Sequence, residues 1–216
     1  MRGEREMKGS GVEWIGEIPM DWILPRVKDN FAIISGSGFK EELQGIMDGE
    51  CPICKASDIS NAGHHLSCAA NYLSFRDAKN AGFSIIPKGS IIFAKIGEAM
   101  RKNNRTLTVV DCCVDNNCQG LVPKDINPEF SYYLLTIVNM AWFDNAGTIP
   151  CLNNQKLRNS RFAYPSPEEQ QEIVAYLDEK CAAIDSAKER HTQLIAKLEE
   201  YKKSLIYNAV TGKIEC

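Results

Sequence analysis

No run of eighteen apolar residues occurs in the 216-residue sequence, so no helix in it is expected to span a membrane. No secretory signal is present either, and the expectation is a soluble, cytoplasmic protein. The net charge of −3 argues against a generally basic nucleic-acid binder. The nine cysteines lack the regular spacing of a disulfide framework, and most sit inside apolar runs, as reduced buried thiols do. There is no G-x-x-x-x-G-K-[ST], no G-x-G-x-x-G and no H-E-x-x-H. Histidines number only three, and spacing pairs none of them with a nucleophile. No enzyme site emerges, and the chain is expected to be non-catalytic.

Gly and Pro are missing too, from the stretch between Pro167 and Gly212. That stretch opens Ser166-Pro167-Glu168-Glu169, a capping box with Pro at the first helical position and two acids at the positive end of the helix dipole. Gly212 stands where a C-terminal stop belongs. Ile173, Leu177, Lys180, Ile184, Ala187, His191, Leu194, Leu198, Tyr201, Leu205 and Asn208 follow alternating steps of four and three. This is the 3.5-residue seam of a left-handed coiled coil. A helix roughly 65 Å long is implied at about 1.5 Å per residue, and its seam needs another helix. A dimerisation arm is one reading; a structural helix folded back on its own domain is the other. Leu177, Ile184, His191, Leu194, Leu198, Tyr201 and Leu205 are the candidate interface. His191 reads as a pairing-specificity residue rather than a metal ligand.

Two domains follow: 1–165, a globular α+β domain, and 166–216, the long helix. From Ser166 onward lie ten of the 28 acids and seven of the 25 bases, which leaves 18 of each before it. The globular part is neutral, so any DNA-binding face must come from local clustering.

Residues 1–8 are charged and aperiodic and read as a frayed leader, with Met7 an alternative start. Residues 12–22 read as an extended segment anchored by Trp14 and Trp22. Short strands are expected at Phe31–Ser35, near 53–58, at 72–75, within 85–97 after a turn, and at 107–110, 112–114, 119–122 and 161–164. Helices are expected from Asn127-Pro128 through Ala141 and over 152–157. Gly36-Ser37-Gly38-Phe39-Lys40 fits a phosphate cradle or an ordinary turn. Cys51-Pro52-Ile53-Cys54 with His64, His65 and Cys68 downstream invites a zinc reading, but the spacing matches no known finger, and no metal site is assigned. His64 and His65 fit base or phosphate contact equally well. Arg101-Lys102-Asn103-Asn104-Arg105 is the one strongly basic polar loop, and Arg and Asn are the residue types that read guanine and adenine edges. With Lys40, Lys95, Asn116, Asn117 and Thr148, these residues form the candidate DNA-binding set.

Several motifs resemble those of specificity subunits of Type I restriction-modification systems. They are Val12-Glu13-Trp14-Ile15-Gly16-Glu17-Ile18-Pro19 with Trp22, Pro87-Lys88-Gly89-Ser90-Ile91-Ile92-Phe93, and Gly147-Thr148-Ile149-Pro150 with Leu152-Asn153. Tyr164-Pro165-Ser166-Pro167 with Glu169-Gln170, and 198–206 running into 209–214, complete the set. Such subunits usually carry two recognition domains and two conserved helices, whereas one of each is found here, so the chain resembles a half-subunit or an expressed half of a longer one. The resemblance implies a non-catalytic homodimer that reads half of a bipartite double-stranded DNA target. It further implies methyltransferase subunits that use S-adenosylmethionine, restriction and translocase subunits that use ATP and Mg²⁺, and no cofactor in this chain. The competing readings are a small zinc- or thiol-dependent enzyme and a coiled-coil adaptor that never touches DNA.

Overall fold

The computed structural model describes residues 5–214. Residues up to Gln171 make one compact unit and those from Glu172 a second. A hairpin opens the first unit, with β1 (Met7–Gly9) antiparallel to β2 (Glu17–Pro19) around a turn in which Gly16 N–H donates to Val12 O. This corrects the reading of residues 1–8 as a frayed leader from position 5 onward. Arg5 pairs with Asp21 at 2.8 Å and with Glu169, and Trp22 Nε1 donates to Glu169 at 3.2 Å. Met1 to Glu4 lie outside the described residues.

The chain then runs α1 (Val27–Asn30), β3 (Phe31–Ser35), β4 (Cys51–Cys54), α2 (Ala56–Asn61), β5 (His65–Leu66), β6 (Tyr72–Leu73) and α3 (Phe75–Asn80). It continues through β7 (Ile91–Ala94), α4 (Gly97–Arg101), β8 (Arg105–Thr108), β9 (Cys113–Val114), β10 (Cys118–Pro123), α5 (Pro128–Thr136) and α6 (Asn154–Asn159). One sheet has the order β3-β10-β7-β8-β5, antiparallel except where β5 runs parallel to β8. A second has the order β6-β4-β9, with β4 and β9 parallel. The fold is α+β.

Strand β4 shows why the cores lie where they do. Successive side chains of a strand point to opposite faces. Cys51 and Ile53 accordingly pack with Leu73, Phe83 and Cys113, while Cys54 packs with Ile59, Leu66, Ile86 and Cys112. The expected strand near 53–58 is thus β4 followed by α2, whose first turn is fixed by Asp58 accepting from Lys55 N–H at 2.7 Å. Gly36 is required by a close approach rather than by a phosphate: a Cβ there would stand 1.9 Å from Asp115 O.

The basic stretch is the loop expected, running from Arg101 at the end of α4 to Arg105 at the start of β8. Other boundaries move. Helix α5 stops at Thr136, and a separate 3₁₀ turn covers Met140–Phe143. The expected strand at 161–164 is two bridges, Arg26 with Arg161 and Ile23 with Tyr164.

Helix α7 (Pro167–Val210) starts in the first unit and makes up most of the second. Glu169 N–H donates to Ser166 Oγ at 3.3 Å, and Gly212 ends the helix with φ +67°. Gln170 is buried; its Oε1 accepts from Asn127 N–H at 2.9 Å, and its Nε2 donates to Pro165 O at 3.2 Å. Beyond Glu172, Ile184, Leu194, Leu198, Tyr201 and Leu205 are exposed, Leu198 at 56% and Tyr201 at 66%. Leu177 is half-buried and His191 exposed. None of the described helices is long and apolar enough to cross a membrane.

Candidate nucleic-acid interface

The antiparallel order of the large sheet brings the end of β3, the start of β10, the end of β7 and the start of β8 to one edge of the sheet. Loops from distant parts of the chain are tied together there by backbone hydrogen bonds. Lys95 N–H donates to Asn117 O at 2.7 Å, Leu152 N–H to Lys95 O at 2.9 Å, and Gly97 N–H to Pro150 O at 2.8 Å. Ser37 bridges Asp115, which brings in the loop that carries exposed Lys40. Asp115 itself is buried and receives both Asn117 N–H, at 3.1 Å, and Asn117 Nδ2, at 3.2 Å.

Seven of the sequence-derived candidates belong to this edge. Lys95 is half-buried, and Lys40, Arg101, Lys102, Asn116, Asn117 and Thr148 are exposed. Arg101 pairs with Glu98 at 2.7 Å in solvent, a contact worth at most about 1 kcal/mol and easily exchanged for a phosphate.

Arg105 and Asn103 do not join them. Arg105 is 6% exposed, and its guanidinium donates to Leu135 O, to Val138 O at 3.0 Å and to Asn103 O at 3.0 Å. Leu135 and Val138 lie at the end of α5, where a helix leaves carbonyls without internal donors. Arg105 is therefore a C-terminal cap rather than a DNA contact. Burial pushes its pKa down to about 10, and it stays charged at neutral pH. Asn103, held at φ +58°, donates from Nδ2 to Val138 O at 3.1 Å and accepts Met140 N–H at 3.0 Å. Asn104 is exposed, and its Nδ2 donates to Ser60 Oγ at 3.0 Å.

His64 and His65 lie on and beside edge strand β5, which runs parallel to β8 with His65 opposite Leu107. Their Nε2 atoms meet the two oxygens of Glu129 at 2.9 and 2.8 Å. A carboxylate at that point opposes an approaching phosphate. No spacing rule joins Glu129 to His65, 64 residues before it, and sequence reasoning missed the cluster.

The C-x-x-C motif forms no metal site with the histidines. Cys51 and Cys54 belong to opposite cores, Cys51 Sγ 3.6 Å from Cys113 Sγ. Contact with Cys112 and burial hold the Cys54 thiol well above its ordinary pKa, and contact with Cys51 and burial do the same for Cys113. Neither thiol is prepared to act as a thiolate ligand or nucleophile.

The chain is similar to known specificity proteins. A family model for the Type I restriction modification DNA specificity domain matches residues 19–200. The MjaIX Type I restriction enzyme specificity subunit of Methanocaldococcus jannaschii is 28% identical over 200 residues, covering 88% of this chain and 44% of that protein. The HsdS subunit from Thermoanaerobacter tengcongensis shares the fold with a TM-score of 0.67 at 17% identity, over 96% of this chain and 48% of that one. A chain from a structure of complex assembly and conformational transition in the type I R-M system aligns with a TM-score of 0.73 at 17% identity, over 94% and 48%. The chain spans about half the length of these relatives. Its matched region takes in both the loop-bearing sheet edge and most of α7, and the chain belongs to the Type I restriction modification DNA specificity domain family.

Proposed function

We propose that the first unit reads one half of a bipartite duplex DNA target and that α7 pairs antiparallel with the same helix of a second copy. The observation that carries this reading is the gathering of Lys95, Arg101, Lys102, Asn116, Asn117 and Thr148 at one edge of the sheet of a unit with no net basic charge. The cations suit phosphates and fix register on the duplex, and the amides and hydroxyl suit base edges in the major groove. The two helices separate the two reading units, so the half-sites are divided by a spacer that nothing reads. In this account the chain carries no catalysis and no cofactor of its own. It positions methyltransferase subunits that use S-adenosylmethionine and restriction subunits that use ATP and Mg²⁺, and it acts in the cytoplasm.

The test is an electrophoretic binding titration of the assembled methyltransferase on duplex DNA carrying its motif, at several salt concentrations. Replacing Arg101 and Lys102 with Ala is expected to weaken binding and to reduce the salt slope by about one for each phosphate that is no longer neutralised. Affinity and slope that stay unchanged would remove this sheet edge from the DNA. An assembly that binds no duplex at all would favour an adaptor role.

A further inference from the structure

We propose that His64, His65 and Glu129 form a binding site for one divalent transition-metal ion of the Zn²⁺ class. Two imidazole nitrogens and a carboxylate oxygen are the donor set that such ions take, with the remaining positions filled by water. One ligand atom from each residue lies within 4.8 Å of the others. The Nε2 atoms stand 2.9 and 2.8 Å from the Glu129 oxygens. Two ligand atoms about 2.05 Å from one tetrahedral ion are about 3.3 Å apart. The observed spacings are a few tenths of an ångström shorter, so the three groups need only part slightly to take one ion.

The site is built rather than incidental. His64 O accepts Leu107 N–H at 2.9 Å and Thr106 Oγ1 at 3.1 Å, which fixes its backbone against β8. Glu129 sits in the first turn of α5, where its N–H donates to the capping Asn127 Oδ1 at 2.9 Å. Tyr132, His64 and His65 stack in sequence, at 3.9 Å and 17° and then at 4.1 Å and 8°. The stack points both Nε2 atoms at one carboxylate. Side-chain exposures of 30% for His64, 45% for His65 and 32% for Glu129 leave room for water ligands and an entry path. A bound ion would clasp β5, the edge of the large sheet, to α5. The site stands independently of the DNA-reading account.

The experiment uses the full chain with Zn²⁺ and Co²⁺ as probes. Calorimetric titration is expected to give one equivalent of Zn²⁺ per chain. His65→Ala and Glu129→Gln, each checked for native circular dichroism, should weaken binding by at least about tenfold. His191→Ala should leave it unchanged. Only three histidines are present, so long-range ¹H–¹⁵N spectra of the unaltered protein should show two imidazoles shifting with Zn²⁺ and one standing still. That readout needs no variant. The Co²⁺ form should lack the near-ultraviolet thiolate band. No bound equivalent, an undiminished affinity in His65→Ala, a shift at His191 alone, or a thiolate band would each overturn the proposal.

Discussion

A guanidinium taken out of water needs several acceptors, and Arg105 finds them at the end of α5. Arg105→Ala is expected to lower unfolding free energy by about 3 kcal/mol, read from the urea midpoint. Arg105→Lys should recover only part, because an ammonium cannot fork between carbonyls. Arg101→Ala should stay within about 0.5 kcal/mol of the parent, since its partner Glu98 is in solvent. The same scale separates the cysteines. Cys51, Cys54, Cys112, Cys113 and Cys118 are buried and Cys68 is exposed. Brief native alkylation followed by mass spectrometry should label Cys68 first and these five only after unfolding; early labelling of Cys54 or Cys113 would contradict the packing. The burial of most cysteines was legible from their apolar neighbours. The roles of Arg101 and Arg105 were not, because both stand in one polar run and only α5, some 30 residues on, tells them apart.

Among the elements, α7 was the most legible. Ser166-Pro167 and Gly212 mark its ends in the sequence, and the helix runs Pro167–Val210. Its signals are local, and tertiary packing hardly enters. The short strands were harder, because β8 and β9 are buried at every residue and show no alternation from which to read a period. The exposed seam gives the element-scale predictions. Leu198→Asp should convert an antiparallel dimer to monomer by light scattering while leaving the first unit folded. A parent that is monomeric at high concentration, with α7 intact, would refute the pairing. Deleting residues 188–194 keeps the heptad phase and removes about 10 Å of helix. The preferred DNA spacer should then shorten by a few base pairs at about 3.4 Å each, and an unchanged spacer in an active deletion would rule out a ruler.

For the whole molecule, the balance of charge and the use of symmetry matter most. The stretch before Ser166 holds equal numbers of acids and bases, so in the proposed reading affinity for DNA rests on one sheet edge rather than on a general field. Sequence spacing showed a basic run but not which loops it joins, because the edge is assembled by strand order across residues 35–152. Used twice about a two-fold axis, one reading unit must recognise the same half-site in opposite directions. The most direct measurement is therefore methylome sequencing of cells that express this chain with its methyltransferase subunit, against cells lacking the chain. The expected result is an interrupted palindrome, methylated on adenine only when the chain is present. A methylation pattern indifferent to the chain would contradict the specificity role, and an asymmetric motif from this chain acting alone would contradict the two-fold model.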